Sequence, residues 1–142
     1  MPSKILVALD NSSYADKVMN YAIDVAAKMG GILYGLGVIE DTYVKALDEN
    51  DPISVENYGF WKSSFQEVLE KCQKLAEARG VYFNLEVNKG NAAEEILKYS
   101  DFAGIDLIVL GHLGKGAASG FPIGSVAQKV AAFSKCPVLI VK

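Results

Sequence analysis

The sequence predicts an α/β protein in which helices cover both faces of a parallel sheet, and two observations predict it. Short apolar runs such as Lys4–Asp10 (KILVALD) are typical of buried strands. Segments with apolar residues at helical spacing alternate with these runs along the chain. The order is therefore strand–helix repeated, with five strands and four helices. This order favours a parallel sheet with right-handed crossovers.

Each strand is expected where an apolar run is bounded by polar or turn residues. The expected strands are Lys4–Asp10, Ile32–Ile39, Val81–Val87, Asp106–Leu110 and Pro137–Val141. Helix starts are indicated at Ser13 and Asn91, each followed three positions later by an acidic residue, as in a capping box. The glycines at 30–31 and at 80 predict helix ends. The last helix is expected over Gly124–Phe133.

The segment between the second strand and the second helix has neither period. Residues 40–59 are acidic and contain Pro52, so we expect a long surface loop there, with room for a short helical turn and with a solvated acidic face from Asp41 to Glu56. The apolar residues that follow recur on one helical face, which predicts a core-facing stripe rather than a binding surface. That stripe is Trp61, Phe65, Val68, Leu69, Cys72, Leu75 and Ala76.

Size, charge and cysteine usage narrow the function classes. A chain of 142 residues fits a single domain, 1–142, and its net charge of −3 gives no electrostatic case for nucleic-acid binding. No run of about 18 apolar residues is present, so we expect no membrane span. The N-terminus lacks a basic region followed by a long apolar stretch, so we expect no signal peptide and a cytoplasmic location. Cys72 and Cys136 are far apart and favour free thiols over a disulfide or metal site.

Candidate chemistry lies where two predicted strands end. The first strand ends in Asp10, and the fourth runs into Gly111, from which a glycine-rich segment continues to Gly124-Ser125 at a helix start. Glycine backbone, a helix N-terminus and Lys115 would together suit a polyanion such as a triphosphate. The spacing matches neither a Walker A loop nor a GxGxxG fingerprint, and by itself it leaves a mobile linker equally open. Asp10 could instead cap the first helix or be solvated, but the facing glycine-rich loop favours a nucleotide or magnesium role.

The spacing of these glycines is similar to one particular family. Gly111, Gly114 and Gly124-Ser125 reproduce the pattern Gly-x2-Gly-x9-Gly-(Ser/Thr). The flanks agree too, and comprise Asp10, Ser12, Val38, Val126 and the closing run Cys136–Val141. Over essentially its whole length the chain resembles the ATP-binding branch of the universal stress protein family.

The resemblance implies a three-layer sandwich with a five-stranded parallel sheet in the order 3-2-1-4-5, of the adenine nucleotide alpha hydrolase-like class. It implies a homodimer paired through the last strand, Val138–Val141. It implies ATP, or ADP or AMP, as ligand, with Asp10 near Mg²⁺ held through the phosphates. The implied nucleotide-binding residues are Ala8, Asp10, Ser12, Val38, Leu110, Gly111, His112, Leu113, Gly114, Lys115, Gly124, Ser125 and Val126.

Some positions depart from the family pattern. Gly37 stands where many members carry histidine, and His112 where a small hydroxyl residue is common. We interpret His112 as a solvent-exposed loop residue near the ligand rather than a catalytic group, since the sequence supplies no nucleophile or carboxylate beside it. Ser125 is expected to cap the last helix as well as to contact phosphate.

Three function classes follow. The preferred one is an adenine-nucleotide-binding regulatory module of the stress response, with no catalytic residue assigned and its protein partner unknown. The second is a slow ATPase or nucleotide hydrolase, although the SGGxDS loop of such enzymes is absent after the first strand, where residues 8–13 read ALDNSS. The third is a nucleotide-independent interaction dimer. The sequence leaves hydrolysis and nucleotide preference open.

Overall fold

The computed structural model describes residues 3–10, 14–40, 52–112 and 123–142. Within these ranges strands and helices alternate as the sequence predicts. The strands are β1 (Lys4–Leu9), β2 (Ile32–Glu40), β3 (Phe83–Gly90), β4 (Leu107–Gly111) and β5 (Val138–Val141). The helices are α1 (Ala15–Met29), α2 (Pro52–Ala78), α3 (Ala92–Ala103) and α4 (Ser125–Phe133). In the described part of the chain, no helix combines the length and apolar character needed to cross a bilayer.

All five strands form one parallel sheet in the order β3-β2-β1-β4-β5, which confirms the implied order. Strand β1 lies at the centre, where Val7 pairs with Gly35 of β2 on one side and with Val109 of β4 on the other. The chain therefore winds outward from β1 first in one direction and then in the other. This reversal puts the topological switch point between β1 and β4.

Two apolar layers hold the sheet between its helices. Alternate residues of β1 point to opposite faces, so Ile5 and Val7 pack under α1 and α2 while Leu6 packs under α3 and α4. All three side chains are fully buried. Because both faces are covered, the strand reads as a continuous apolar run rather than as an alternating one.

Glycines in β2 make room for aromatic rings on the α1/α2 face. A Cβ atom at Gly35 would collide with the Phe83 ring, and one at Gly37 would lie 2.6 Å from Cδ1 of Phe65. Both rings are almost completely buried. The departure from histidine at position 37 therefore has a packing reason, since the Phe65 ring occupies the space that a side chain would take.

The predicted loop is in part helix. Helix α2 begins at Pro52, so the loop expectation is wrong for residues 52–59, while residues 41–51 lie outside the described ranges. Proline suits the first helical position because its missing N–H would have no intrahelical acceptor there. In the stripe along α2, Leu75 is 40% exposed, contrary to expectation. The stripe residues that the core buries are Phe65, Leu69, Cys72 and Ala76.

Two helix starts differ in how they are capped. The Asn91 side chain accepts a hydrogen bond from the Glu94 N–H at 3.1 Å, which confirms the predicted cap of α3. Helix α1 instead begins at Ala15 with Tyr14 at the cap position and no side-chain cap, so the expected start at Ser13 is wrong. Gly30 ends α1 in the left-handed conformation, as predicted.

A carboxylate fixes the first described residues to the sheet. Asp106 Oδ2 accepts hydrogen bonds from the Ser3 N–H at 3.0 Å, the Ser3 hydroxyl at 3.1 Å and the Lys4 N–H at 2.9 Å. We call these three residues the amino-terminal clasp. The two backbone donors, chiefly that of Lys4, hold the pKa of Asp106 below its usual value. The clasp lies at the edge of the sheet where β1 and β4 begin, opposite the candidate site.

Candidate functional site

The carboxyl ends of β1, β2 and β4 bring most of the predicted residues to one edge of the sheet. Strand β1 ends at Leu9 and is followed by Asp10, and β4 ends at Gly111. Val7 of β1 pairs with Val109 of β4, and each strand ends two residues after this pair, so the two ends lie side by side. Leu9 pairs with Gly37, so Val38 is level with Asp10 on the neighbouring strand. These ends flank the switch point, where open α/β sheets form a ligand crevice.

Val38 and Leu110 lie at this edge with their side chains turned into the core. They are 8% and 3% exposed, and both belong to the apolar layer under α3 and α4. Ala8 packs against the same layer and is half-buried. What these residues can offer a ligand is therefore mainly their backbone N–H and C=O groups. Backbone contacts can recognise a purine edge without any polar side chain.

The start of α4 faces the end of β4. Gly124 occupies the cap position and donates its N–H to the His112 carbonyl at 2.6 Å. Ser125 is the exposed first helical residue, so the expectation that Ser125 caps the helix is wrong. Gly124 has no side chain with which to cap α4, so within the described residues no side-chain cap satisfies the N–H groups of its first turn. Those donors and the helix dipole favour an anion.

Two further hydrogen bonds secure the chain that enters α4. The Gln128 side-chain amide donates to the Ile123 carbonyl at 2.6 Å, and the Gln128 N–H donates to the Gly124 carbonyl at 3.0 Å. The bond between Gly124 and His112 joins the chain that leaves β4 to the chain that enters α4, and the Gln128 contacts hold Ile123 and Gly124 to the first turn of α4. We call this crossing, formed by His112, Ile123, Gly124 and Gln128, the loop neck.

His112 is half-buried, which corrects the expectation of a solvent-exposed residue. Its backbone N–H donates to the Val141 carbonyl at 2.8 Å, and its Nδ1 lies 3.2 Å from the same oxygen. The ring also packs edge-to-face on Tyr14, with ring centroids 5.2 Å apart and an interplanar angle of 74°. His112 thus joins β4 to the end of β5, the start of α1 and the start of α4.

Tyr14 is a residue of this site that the sequence analysis missed. It precedes α1 and is 37% exposed, and its ring reaches His112 across the edge between β1 and β4. The only sequence signal is an aromatic residue shortly after the first strand. That signal gains meaning once the parallel sheet places the two strand ends side by side.

Four predicted residues, namely Ser12, Leu113, Gly114 and Lys115, lie outside the described ranges. In the described part, no three His, Cys, Asp or Glu side chains come together as a metal site. A divalent cation at this edge would therefore need ligands besides Asp10, and phosphate oxygens with water are the ligands Mg²⁺ commonly uses.

Clear pKa shifts occur elsewhere in the described part. Burial, helped by the Asp16 carboxylate and opposed by Lys71, raises the pKa of Cys72 on α2 to about 11. Burial also raises the pKa of Tyr99 on α3, and nearby Glu86 adds to this. Cys72 belongs to the core and Tyr99 packs against the other apolar layer, so these shifts reflect packing rather than catalysis.

The fold and this edge define a class of protein. A five-stranded parallel sheet in the order 3-2-1-4-5, with helices on both faces, is the adenine nucleotide alpha hydrolase-like fold. Within that class, the model of the Universal stress protein family matches residues 1–142, and the chain belongs to this family.

Individual relatives agree. The chain is 31% identical to universal stress protein MJ0531 of Methanocaldococcus jannaschii over 146 residues, which cover 98% of this chain and 81% of that protein. It is 30% identical to universal stress protein YxiE of Bacillus subtilis over the full length of both. The structure of universal stress protein UspA from Lactobacillus plantarum superposes with a TM-score of 0.89 at 24% identity, covering 99% of this chain and 97% of that one.

Two further solved relatives contain nucleotides. One is a universal stress protein in complex with cAMP, with a TM-score of 0.76 and 23% identity, covering 99% of this chain and 97% of that one. The other is the universal stress protein from Archaeoglobus fulgidus in complex with dAMP, with a TM-score of 0.70 and 18% identity, covering 99% and 98%. At these identities the likeness establishes the shared fold.

Proposed function

We propose that this protein binds an adenine nucleotide, ATP in the first place, at the carboxyl edge of β1 and β4 and acts as a nucleotide-dependent regulatory module in the stress response. The observation that carries the proposal is the loop neck. The hydrogen bond between Gly124 and His112 brings the first and last parts of the glycine pattern together beside a helix start whose cap residue, Gly124, has no side chain. This arrangement suits a phosphate chain.

Each residue has a proposed part in binding. The backbone of Val38 and Ala8 would contact the base and ribose, and Leu110 and Gly111 would line the ribose. Asp10 would hold Mg²⁺ through the phosphates, since a carboxylate oxygen is a fitting ligand. The backbone N–H groups of α4 at its start would bind phosphate, and these belong to Gly124, Ser125 and Val126. Ser12, Leu113, Gly114 and Lys115 would complete the site on the strength of the motif.

The relatives in complex with cAMP and dAMP support a nucleotide ligand and leave the number of phosphates to experiment. ATP should raise the melting temperature of the protein. At 100 times the dissociation constant the stabilisation is about 2.7 kcal/mol. Thermal unfolding with ATP, ADP, AMP and cAMP at equal concentration would rank them. An unchanged melting temperature at millimolar Mg-ATP would contradict the proposal.

A pair of glycine variants localises the site. Gly114→Val should abolish ATP binding, because a branched side chain would keep the backbone away from phosphate. Gly59→Val is the matched control, since a Cβ at this exposed α2 position meets nothing within 4 Å. Isothermal titration of both variants should show binding only for the control. Equal ATP affinity for the two would exclude the glycine segment as the site.

Binding is proposed here without rapid hydrolysis. The sequence contains one histidine, and the Nδ1 atom and ring edge of that residue are already engaged by Val141 and Tyr14. Phosphate release by the ATP-loaded protein should therefore stay near background over hours. Steady release that disappears in Gly114→Val would establish a slow ATPase instead.

A cytoplasmic location fits two free cysteines, Cys72 and Cys136.

We further propose a homodimer through β5, which forms one edge of the sheet. The Pro137 carbonyl accepts a hydrogen bond from Ile108 of β4, and the Val141 carbonyl accepts one from His112, which follows β4. The alternation of the strand therefore turns the backbone groups of Val138 and Ile140 to the free edge. An apolar edge strand favours pairing with a second copy about a two-fold axis.

Proline at the outward position tests the dimer. Ile140→Pro removes one outward N–H and should lower the mass seen by light scattering, whereas Ile140→Ala, which keeps the N–H, should remain dimeric. A parent protein that is monomeric at high micromolar concentration would contradict the dimer.

A further inference from the structure

His112 contacts three separate parts of the fold, namely Val141 at the end of β5, Gly124 at the start of α4 and Tyr14 before α1. Two of its nitrogen atoms approach the Val141 carbonyl oxygen. The backbone nitrogen lies 2.8 Å from this oxygen and Nδ1 lies 3.2 Å from it. The His112 carbonyl then accepts the Gly124 N–H at 2.6 Å. The same residue therefore closes the loop neck and ties it to β5.

The chemistry of the acceptor fixes the tautomer of the ring. A carbonyl oxygen accepts and cannot donate, so Nδ1 of His112 must carry the proton that is shared with Val141. A carbonyl has two lone pairs and can accept both N–H groups of His112 at once. The Tyr14 ring, 5.2 Å away at 74°, then limits the ring to this orientation.

We propose that His112 is a positioning residue of the nucleotide site. Its side chain fixes the loop neck to the end of β5 through Val141 and to the start of α1 through Tyr14. Gly111 and Gly124 are thereby held at the spacing that a phosphate chain requires. This role rests on the proposed function. It differs from a ligand contact, because the ring acts through Val141 and Tyr14 rather than on the nucleotide. Preorganising a loop raises affinity by removing the ordering cost of binding.

Affinity measurements on three variants test the role of the ring. His112→Ala should bind ATP about tenfold more weakly, the effect of a lost hydrogen bond and ring contact. His112→Asn should recover most of this loss, because its amide nitrogen is attached at the same position as Nδ1 and can donate to Val141. His112→Phe keeps a ring for Tyr14 without a donor and should fall between the two. Circular dichroism and urea unfolding would verify that each variant is folded.

A double-mutant cycle separates positioning from direct contact. If Tyr14 acts through the His112 ring, Tyr14→Leu should weaken ATP binding in the parent by about threefold and have no further effect in His112→Ala. If the two substitutions are additive, or if His112→Asn is as weak as His112→Ala, the ring contacts the nucleotide or acts otherwise, and the positioning role is overturned.

Nuclear magnetic resonance can show directly which nitrogen of the His112 ring carries the proton. Because the sequence has a single histidine, ¹⁵N-labelled histidine gives one imidazole signal, and its couplings report which nitrogen carries the proton. We expect the Nδ1–H form both with and without ATP. A ring protonated at Nε2 alone would overturn the proposal, as would His112→Ala binding ATP as tightly as the parent. A parent that binds no nucleotide would instead refute the proposed function and the positioning role with it.

Discussion

Gly37 is the position at which the packing of β2 can be tested most sharply. An alanine methyl group there would lie 2.6 Å from Cδ1 of Phe65, with two further ring atoms at 3.2 and 3.3 Å. Two of the contacted atoms, Cγ and Cδ1, belong to the part of the Phe65 ring nearest the main chain, and the residue is only 6% exposed. The ring therefore has little room to move away. Overpacking of this kind typically costs about 1–3 kcal/mol.

The net effect of Gly37→Ala is smaller than the clash alone. Alanine loses less backbone entropy than glycine on folding, which returns about 0.5–1 kcal/mol. We expect Gly37→Ala to lower the free energy of unfolding by about 1.3 kcal/mol and the melting temperature by about 4 °C. Urea unfolding followed by circular dichroism would measure the former.

Gly59 provides the same chemical change without the clash. It lies exposed in α2, and an added Cβ meets nothing within 4 Å. Gly59→Ala should therefore raise the free energy of unfolding by about 0.5–1 kcal/mol, because alanine is the better helix former. Phe65→Leu combined with Gly37→Ala should be more stable than the sum of the two single changes predicts. If Gly37→Ala is as stable as the parent, the space beside β2 is not filled by Phe65 as described.

Three further changes test other parts of the molecule. Asn91→Ala should destabilise by about 1 kcal/mol through loss of the α3 cap, and Asn91→Asp should not. The folded-state pKa of Asp106 is lowered, so the amino-terminal clasp stabilises the fold above the ordinary carboxyl pKa of 3.8, and this contribution is lost as the pH falls through the folded-state pKa. Urea titrations should show Asp106→Asn less stable than the parent at pH 7, with the difference shrinking in acid; a constant difference would contradict this. Buried Cys72, whose pKa is raised to about 11, should resist iodoacetamide at pH 8, while half-exposed Cys136 reacts, and peptide mass spectrometry would distinguish the two.

Much of the candidate site could be predicted from local pattern, because its parts are strand ends and a glycine spacing. Asp10 and Gly111 each follow a short apolar run, and parallel strands of a switch-point sheet end at the same edge. The sequence could not show that Val38 and Leu110 turn their side chains into the core. It also could not show that Tyr14 meets His112, since that contact joins residues almost a hundred positions apart.

The sequence by itself determined the class of fold, since hydrophobic periodicity and glycine punctuation are local properties that fix the type and order of the elements. It also determined the α3 cap, where Asn91 and Glu94 lie within one turn. The start of α2 at Pro52 is seen only in the structure, because residues 52–59 have no clear period of their own from which a helix could be predicted. Tertiary structure decided the place of His112. The sequence predicts an exposed His112, whereas the fold brings the Val141 carbonyl of β5 within hydrogen-bond distance of it. Local sequence does not show a hydrogen bond between residues so far apart in the chain.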